Sequence, residues 1–355
     1  MTISAGIKTP GVYTEVNINT QRSGLLANDQ RVLFVTKDTT PVVNPISIYD
    51  TASADEKFGD NSVAGRMLKA AIKTMRTVDV QACTLQEELD DTLDTIAPLG
   101  HTIIAVDQVF SAADDAAAWV DHLNFVSDAI EQRPAILVVP FTDIDAATLF
   151  AAQAKIETSY RVVCPCYHGA TGQAAEIAGA MAAALADSAD PTVPFNGVNL
   201  GGVAAVDDQY KLTFERKEAA MRAGVCVIET GADGSPEIVR AISTFRKNPD
   251  SGLADGIMLD INGALTIDYV RKVMRTAASK ERRRKNTAAQ RRNLRSIFLT
   301  EALKLDKAEI LQNVSETADQ LTVTEDTTDR YRVNAVIPAN WVRGMHVVAA
   351  TINVY

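Results

Sequence analysis

The chain has 355 residues, of which 46% are apolar and only 6% aromatic, a balance that supports packed cores in two or three domains and argues against wholesale disorder. Its formal charge is −10, yet eleven of its 35 Lys and Arg lie between Arg271 and Arg295 against a single acid, Glu281. A local basic block on an acidic body points to contact with copies of itself or with an oppositely charged partner, and not to a chain that is cationic throughout.

The chain opens on a Gly- and Pro-punctuated stretch. It leads into a segment in which Val12, Thr14, Val16 and Ile18 alternate with Tyr13, Glu15, Asn17 and Asn19, the period of a strand. This strand precedes any core, so residues 1–22 are expected to form an extended arm. An α/β domain over 23–253 follows. Its expected strands are 31–36, 78–83, 103–106, 135–139 and 161–164. Helices are expected over 62–76, 114–132, 145–158 and, very Ala-rich, 172–186. The 114–132 helix is predicted to place Trp119, Leu123, Val126 and Ile130 on one face. Continuous apolar strands alternating with helices predict a mostly parallel sheet covered on both faces. A turn-rich connector over 190–203 leads to a short helix over 213–223 and a hairpin of 224–229 with 237–244. A C-terminal α+β domain is expected over 254–344, with helices 265–281 and 290–305 and strands 320–325 and 331–337. The last strand, 345–355, forms a second arm. No internal repeat or low-complexity tract is present.

Chemistry-bearing clusters are few. Cys164, Cys166 and His168 form the most metal-like group, but one strand end sends alternate side chains to opposite faces, so ordinary packing is the expected role. All four cysteines, including Cys83 and Cys226, read as reduced core thiols. His101, His122 and His346 fall in separate elements. No nucleophile elbow or zinc-protease motif occurs, and the glycines of 197–202 and 231–234 lack the spacing of a phosphate-binding loop. Catalytic, cofactor-binding and metal residues are therefore not expected. Within the basic block, Arg271, Lys272, Arg275, Lys280, Arg282, Arg283, Arg284, Lys285, Arg291, Arg292 and Arg295 can form a solvated face, a surface for an acidic protein, or a nucleic-acid contact. No aromatic residue is interleaved with them to stack bases. No run of about 18 apolar residues exists, and no charged region followed by an apolar one opens the chain, so neither membrane insertion nor a signal peptide is expected.

Several stretches resemble the contractile tail sheath proteins of Mu-like phages and related injection systems. They are Pro10-Gly11-Val12-Tyr13-Thr14-Glu15-Val16, the run from Ala178 to Val203 with Pro194-Phe195-Asn196-Gly197 and Leu200-Gly201-Gly202-Val203, Glu237 to Thr244, Asp260 to Arg271, and Gly344 to Val354. The resemblance implies a non-enzymatic structural subunit without cofactors, in hexameric rings stacked helically around an inner tail tube. In that family, contraction drives the tube through a target envelope, as in genome ejection by a bacteriophage. It implies a virion sheath location with assembly in the host cytoplasm, and tube, baseplate and tail-terminator partners. It also implies that both arms, Val12, Tyr13, Thr14, Glu15, Val16, Asn17 and Ile18 at one end and Val347, Val348, Ala349, Ala350, Thr351, Ile352, Asn353 and Val354 at the other, add strands to a sheet in the C-terminal domain of neighbours. The eleven basic residues would then face the tube or a neighbour. The alternative is a nucleic-acid-binding α/β protein using 271–295.

Overall fold

A computed structural model describes residues 25–75, 79–107, 113–280 and 283–353. The N-terminal arm, Arg282 and Val354 lie outside the described residues. The first half alternates strand and helix: β1 Val32–Thr36, β2 Ile46–Ser47, α1 Thr51–Phe58, α2 Val63–Thr74, β3 Val80–Thr84, α3 Leu89–Ile96, β4 Ile103–Val106, α4 Ala113–Ser127, β5 Ile136–Val138 and α5 Ile144–Ala151. Then come β6 Val162–Val163, β7 Pro165–Cys166, α6 Ala174–Ala186, α7 Phe214–Arg222, β8 Cys226–Thr230 and β9 Pro236–Ile238. The C-terminal part holds α8 Ile261–Ser279, α9 Ala288–Lys307, β10 Thr322–Glu325 and β11 Val333–Val336.

The main sheet runs β2-β3-β1-β4-β5-β6, parallel except for β2 against β3. Its side chains alternate between two cores, as a strand's period of two requires. Val32, Phe34, Ile103, Ala105, Ile136 and Val138 face the core formed with α2 and α6, whereas Leu33, Val35, Ile104, Val106 and Leu137 face Trp119, Leu123 and Phe150 of α4 and α5. An adjoining sheet, β7-β8-β9, extends the layer, with β7 parallel to β8 and β9 antiparallel to it. The four cysteines pack in these cores as free thiols. Burial pushes the Cys83 and Cys226 thiols up to about 12.

Small residues let α2 come unusually close to its neighbours. A Cβ added to Gly179 of α6 would stand 2.2 Å from the Met67 carbonyl oxygen, and one added to Gly202 would stand 2.1 Å from the Ala70 Cα. The start of α2 is held from outside the helix, where the Asp38 carboxylate accepts from the Val63 and Ala64 amides at 2.6 and 3.0 Å.

Several elements differ from their sequence expectation for local reasons. α4 stops at Ser127, because the Asp128 carboxylate captures the Ile130 and Glu131 amides at 2.7 and 2.6 Å and turns the chain. Ile130 is consequently 83% exposed and does not share the buried face of Trp119, Leu123 and Val126. The helix expected over 145–158 ends at Ala151 and continues as turns. Two eight-residue helices were not anticipated. α1 is announced by an Asp50–Ser53 capping box, while α3 has no side-chain cap. The expected strand 345–355 carries no strand pairing over 345–353.

α8 belongs to both parts of the molecule. Ile261, Ala264 and Leu265 pack in the core beneath the sheet, and Tyr269, Val270, Val273 and Met274 pack with Phe298, Ala302 and Leu305 of α9 in a third core. Asn262 Nδ2 donates to the carbonyl oxygens of Pro191 and Val193, both at 2.8 Å, tying the helix start to the 190–203 connector.

Two buried histidines make stability depend on pH. Desolvation lowers His101 and His122 to about 4. The unfolded chain takes up these protons near the ordinary value of about 6.5, whereas the folded chain does so only near 4. Stability is therefore unaffected by them at neutral pH and falls as pH drops from about 6.5 towards 4, by about 1.4 kcal/mol per pH unit for each histidine. Urea midpoints across that range should decline accordingly, and His122→Gln should flatten the slope.

Candidate inter-subunit surface

The C-terminal part is built on the α8–α9 pair. Thr287 caps α9 by accepting from the Gln290 amide at 3.3 Å. One side chain of α8, Asp268, makes a bidentate pair with Arg161 at 2.7 and 2.9 Å, and Arg161 is almost fully buried where the main sheet begins its last strand. Arg161 also donates to the Ala135 carbonyl at 3.4 Å and lies over the Tyr160 ring. On the same helix, the Tyr269 hydroxyl donates to the Leu26 carbonyl at 2.7 Å and Lys272 to that of Ala27 at 2.9 Å. The described chain therefore starts against α8.

The basic block divides into two groups. Arg271 donates to the Ser127 and Asp128 carbonyls, both at 2.9 Å, and Arg275 donates to the Gln132 carbonyl at 3.1 Å and side-chain oxygen at 2.7 Å. Arg295 donates to the Leu321 and Ala318 carbonyls at 2.7 and 2.6 Å, and Arg291 pairs with Glu325 at 3.0 Å. With Lys272, at least five of the ten described cations of the block thus hold this chain to itself. Lys280, Arg283, Lys285 and Arg292 are exposed, and Arg284 is half-buried.

β10 and β11 form an antiparallel hairpin, register Val323↔Ala335, with no further strand on either outer edge among the described residues. Its turn is organised by Asp326, whose carboxylate accepts from the Asp329 and Thr328 amides and from Asn334. These hydrogen bonds, that from Asp329 foremost, pull its carboxyl down to about 2. β10 lies against α9. Beyond β11 the chain crosses α8, pairs Trp341 with Leu311, and donates from the Val342 amide to the Ile310 carbonyl at 3.1 Å.

From there the chain departs. Gly344 passes so close to Pro194 that a Cβ would stand 2.5 Å from the proline Cγ. His346 is the final anchored side chain before the tail, with Nδ1 3.2 Å from Asn196 Oδ1 and Nε2 3.4 Å from Asp260, which itself holds Arg240 through two hydrogen bonds. Desolvation, followed by the nearby Arg240 charge, outweighs Asp260 and lowers the His346 pKa. Past this point Val347, Val348 and Ile352 are 81%, 78% and 88% exposed. Among the described residues this exposed apolar segment pairs with no strand.

The metal-like cluster lies apart from this surface. Cys164 and Cys166 are buried with thiols pushed up by desolvation, and the His168 ring nitrogen faces the Ile144 amide at 3.3 Å and Asp143 at 3.6 Å at the start of α5. Among the described residues, no three metal-ligating side chains converge, and no helix is long and apolar enough to cross a membrane.

The mixed α/β fold with its mostly parallel sheet is shared with solved sheath structures. Residues 254–355 match the family described as phage tail sheath C-terminal domain. A chain of the anti-feeding prophage baseplate is similar at TM-score 0.67 and 15% identity, covering 98% of this chain and 99% of that one. The helical sheath of the same particle in its contracted state is similar at TM-score 0.66 and 16% identity, with 98% and 99% covered. The sheath tail protein of Desulfitobacterium hafniense is similar at TM-score 0.63 and 14% identity, with 92% and 99% covered. No curated protein matches by sequence.

The Arg161–Asp268 pair gives a direct test of how the two parts are joined. Asp268→Ala should leave a buried, unpaired guanidinium and cost about 3–5 kcal/mol, whereas Arg161→Met with Asp268→Leu should recover most of that loss. Chemical denaturation midpoints of the three proteins distinguish these outcomes.

Proposed function

We propose that this chain is the structural subunit of a contractile sheath. Copies form six-membered rings stacked helically around an inner tube, bounded by baseplate and terminator proteins, and contraction of the stack drives the tube through a target envelope. The observation that carries this reading is the exposed apolar segment 347–353, together with a two-stranded hairpin whose outer edges are both free among the described residues. β-Augmentation between copies satisfies both, with the arms 12–18 and 347–354 of neighbours adding strands to the hairpin. Main-chain pairing tolerates movement of the bodies, so neighbours stay linked while their packing changes. The work of contraction is stored in the assembly as the difference between two packings of the same subunits.

The exposed cations Lys280, Arg283, Lys285 and Arg292 then serve the tube or a neighbouring copy. The sheath fold common to the three similar structures supports the reading, as does the C-terminal family match. The nucleic-acid alternative loses ground because at least five of the ten described cations are engaged within the chain.

Negative-stain microscopy of the full chain should show striated cylinders, and a preparation containing only discrete monomers would overturn the proposal. Removing residues 347–355 should abolish cylinders while leaving the circular dichroism spectrum and thermal midpoint of the body unchanged. Replacing Arg283, Lys285 and Arg292 with Glu should reduce co-sedimentation with the tube protein by about tenfold or more without unfolding the monomer, since like-charge contacts across an interface cost several kcal/mol.

A further inference from the structure

Residues 345–353 reverse the usual order of burial. Met345 and Val347 are 80% and 81% exposed, whereas the side chain of His346 between them is 12% exposed, and every residue from 347 to 353 faces solvent. A titratable ring is seated while the aliphatic side chains beside it stay in water, so apolar burial contributes little to holding this segment.

The seat is assembled from three parts of the chain. Asp260, at the start of α8, stands 3.4 Å from Nε2 of the ring, and Asn196, from the 190–203 connector, stands 3.2 Å from Nδ1. Arg240, just past β9, donates to the same Asp260 carboxylate at 2.7 and 2.9 Å, and Asp260 also bridges to Ile242. Asp260 is therefore held in place with or without the ring. Gly344 makes room for the arrangement, since a Cβ there would stand 2.5 Å from the Pro194 Cγ and 3.0 Å from the ring Nε2.

Charge decides how firmly the ring sits. The charged groups that act on it are Asp260, on α8, and Arg240, after β9, while Asn196 and Pro194 are neutral. Asp260 attracts an imidazolium, but its oxygens already accept from Arg240, and desolvation together with the Arg240 charge outweighs that attraction. The seated ring thus takes up a proton less readily than a free imidazole, whose ordinary value is about 6.5. By linkage, the contact is intact above about 6.5 and weakens as pH falls from there towards the lowered value of the seated ring.

We infer that His346 is a releasable latch at the root of the C-terminal tail, seated between Asp260 and Asn196 at neutral pH and unseated on mild acidification. Seated, it sets the line along which residues 347–353 leave the body. Unseated, it frees the chain from Gly344 onward, while the Val342 amide still donates to the Ile310 carbonyl and keeps the root attached. The device belongs to a single chain and depends neither on pairing between copies nor on the sheath reading.

A nitroxide on Val348→Cys of the full chain, read by electron paramagnetic resonance on chains kept discrete by dilution, tests the inference. The native thiols are buried and raised by desolvation, so they do not take the label. The label should move slowly at about pH 8 and gain a fast component as pH falls below about 6.5. His346→Ala should show the fast component at every pH. His346→Gln, which keeps polar contacts but cannot be charged, should remove the pH step.

Label motion that His346→Ala leaves unchanged overturns the inference. A pH step that persists in His346→Gln overturns it too, because another group then titrates. The same holds for a step shared by a label on Tyr49→Cys, an exposed position on the body, since acid would then be loosening the whole chain.

Discussion

Sharing α8 between two hydrophobic cores is the constraint on which the rest of the molecule depends. Its first turns are part of the layer under the sheet, and its later turns are half of the platform for the hairpin. At the junction sits Asp268, held by a guanidinium that burial has stripped of water. An ion pair in that position gains little stability over an apolar pair of the same shape, because desolvation offsets most of the attraction. Its effect is geometric. The two parallel hydrogen bonds admit one rotation of α8 relative to the strand carrying Arg161, whereas an apolar contact would tolerate several. A displacement of the C-terminal platform must therefore move the α/β body with it.

The basic block extends the same logic. Arginine presents several donors in a planar fork, and Arg271, Arg275 and Arg295 direct theirs at main-chain carbonyls of the α4 exit and the approach to β10. These are struts between the helix pair and the two elements flanking it. The cations that face solvent cluster around the α8–α9 connection, at Lys280, Arg283, Lys285 and Arg292. The charge asymmetry of the sequence thus resolves into an internal part that sets the position of the helices and an external part that an acidic partner can meet.

Where a signal is repeated along the chain, the sequence discloses the structure. The apolar runs at 32–36, 103–106 and 136–138 and the Ala-rich α6 are legible because each is buried on every side and contains little else. Gly179 and Gly202 are visible as letters, but their purpose, the close approach of α2, emerges only once three distant segments are placed together. Periodicity runs on through Ile130 and hides the end of α4, which the Asp128 carboxylate marks by taking the Ile130 and Glu131 amides. The roles of individual arginines were likewise hidden, since a sequence gives the sign of a charge and not the carbonyl it will reach.

A folded chain seldom leaves both edges of a hairpin and a run of valine and isoleucine facing water, because each invites unplanned association. Proteins that remain monomeric blunt such edges with charge, proline or a covering loop. Here the tail over 347–353 contains no charge and no proline, so nothing in it discourages pairing. What limits promiscuity is the departure point. Gly344 wedged against Pro194 and His346 held by Asp260 and Asn196 set the direction in which the tail leaves. Exposure of this kind is a liability in an isolated molecule, and pairing with a partner strand would remove it.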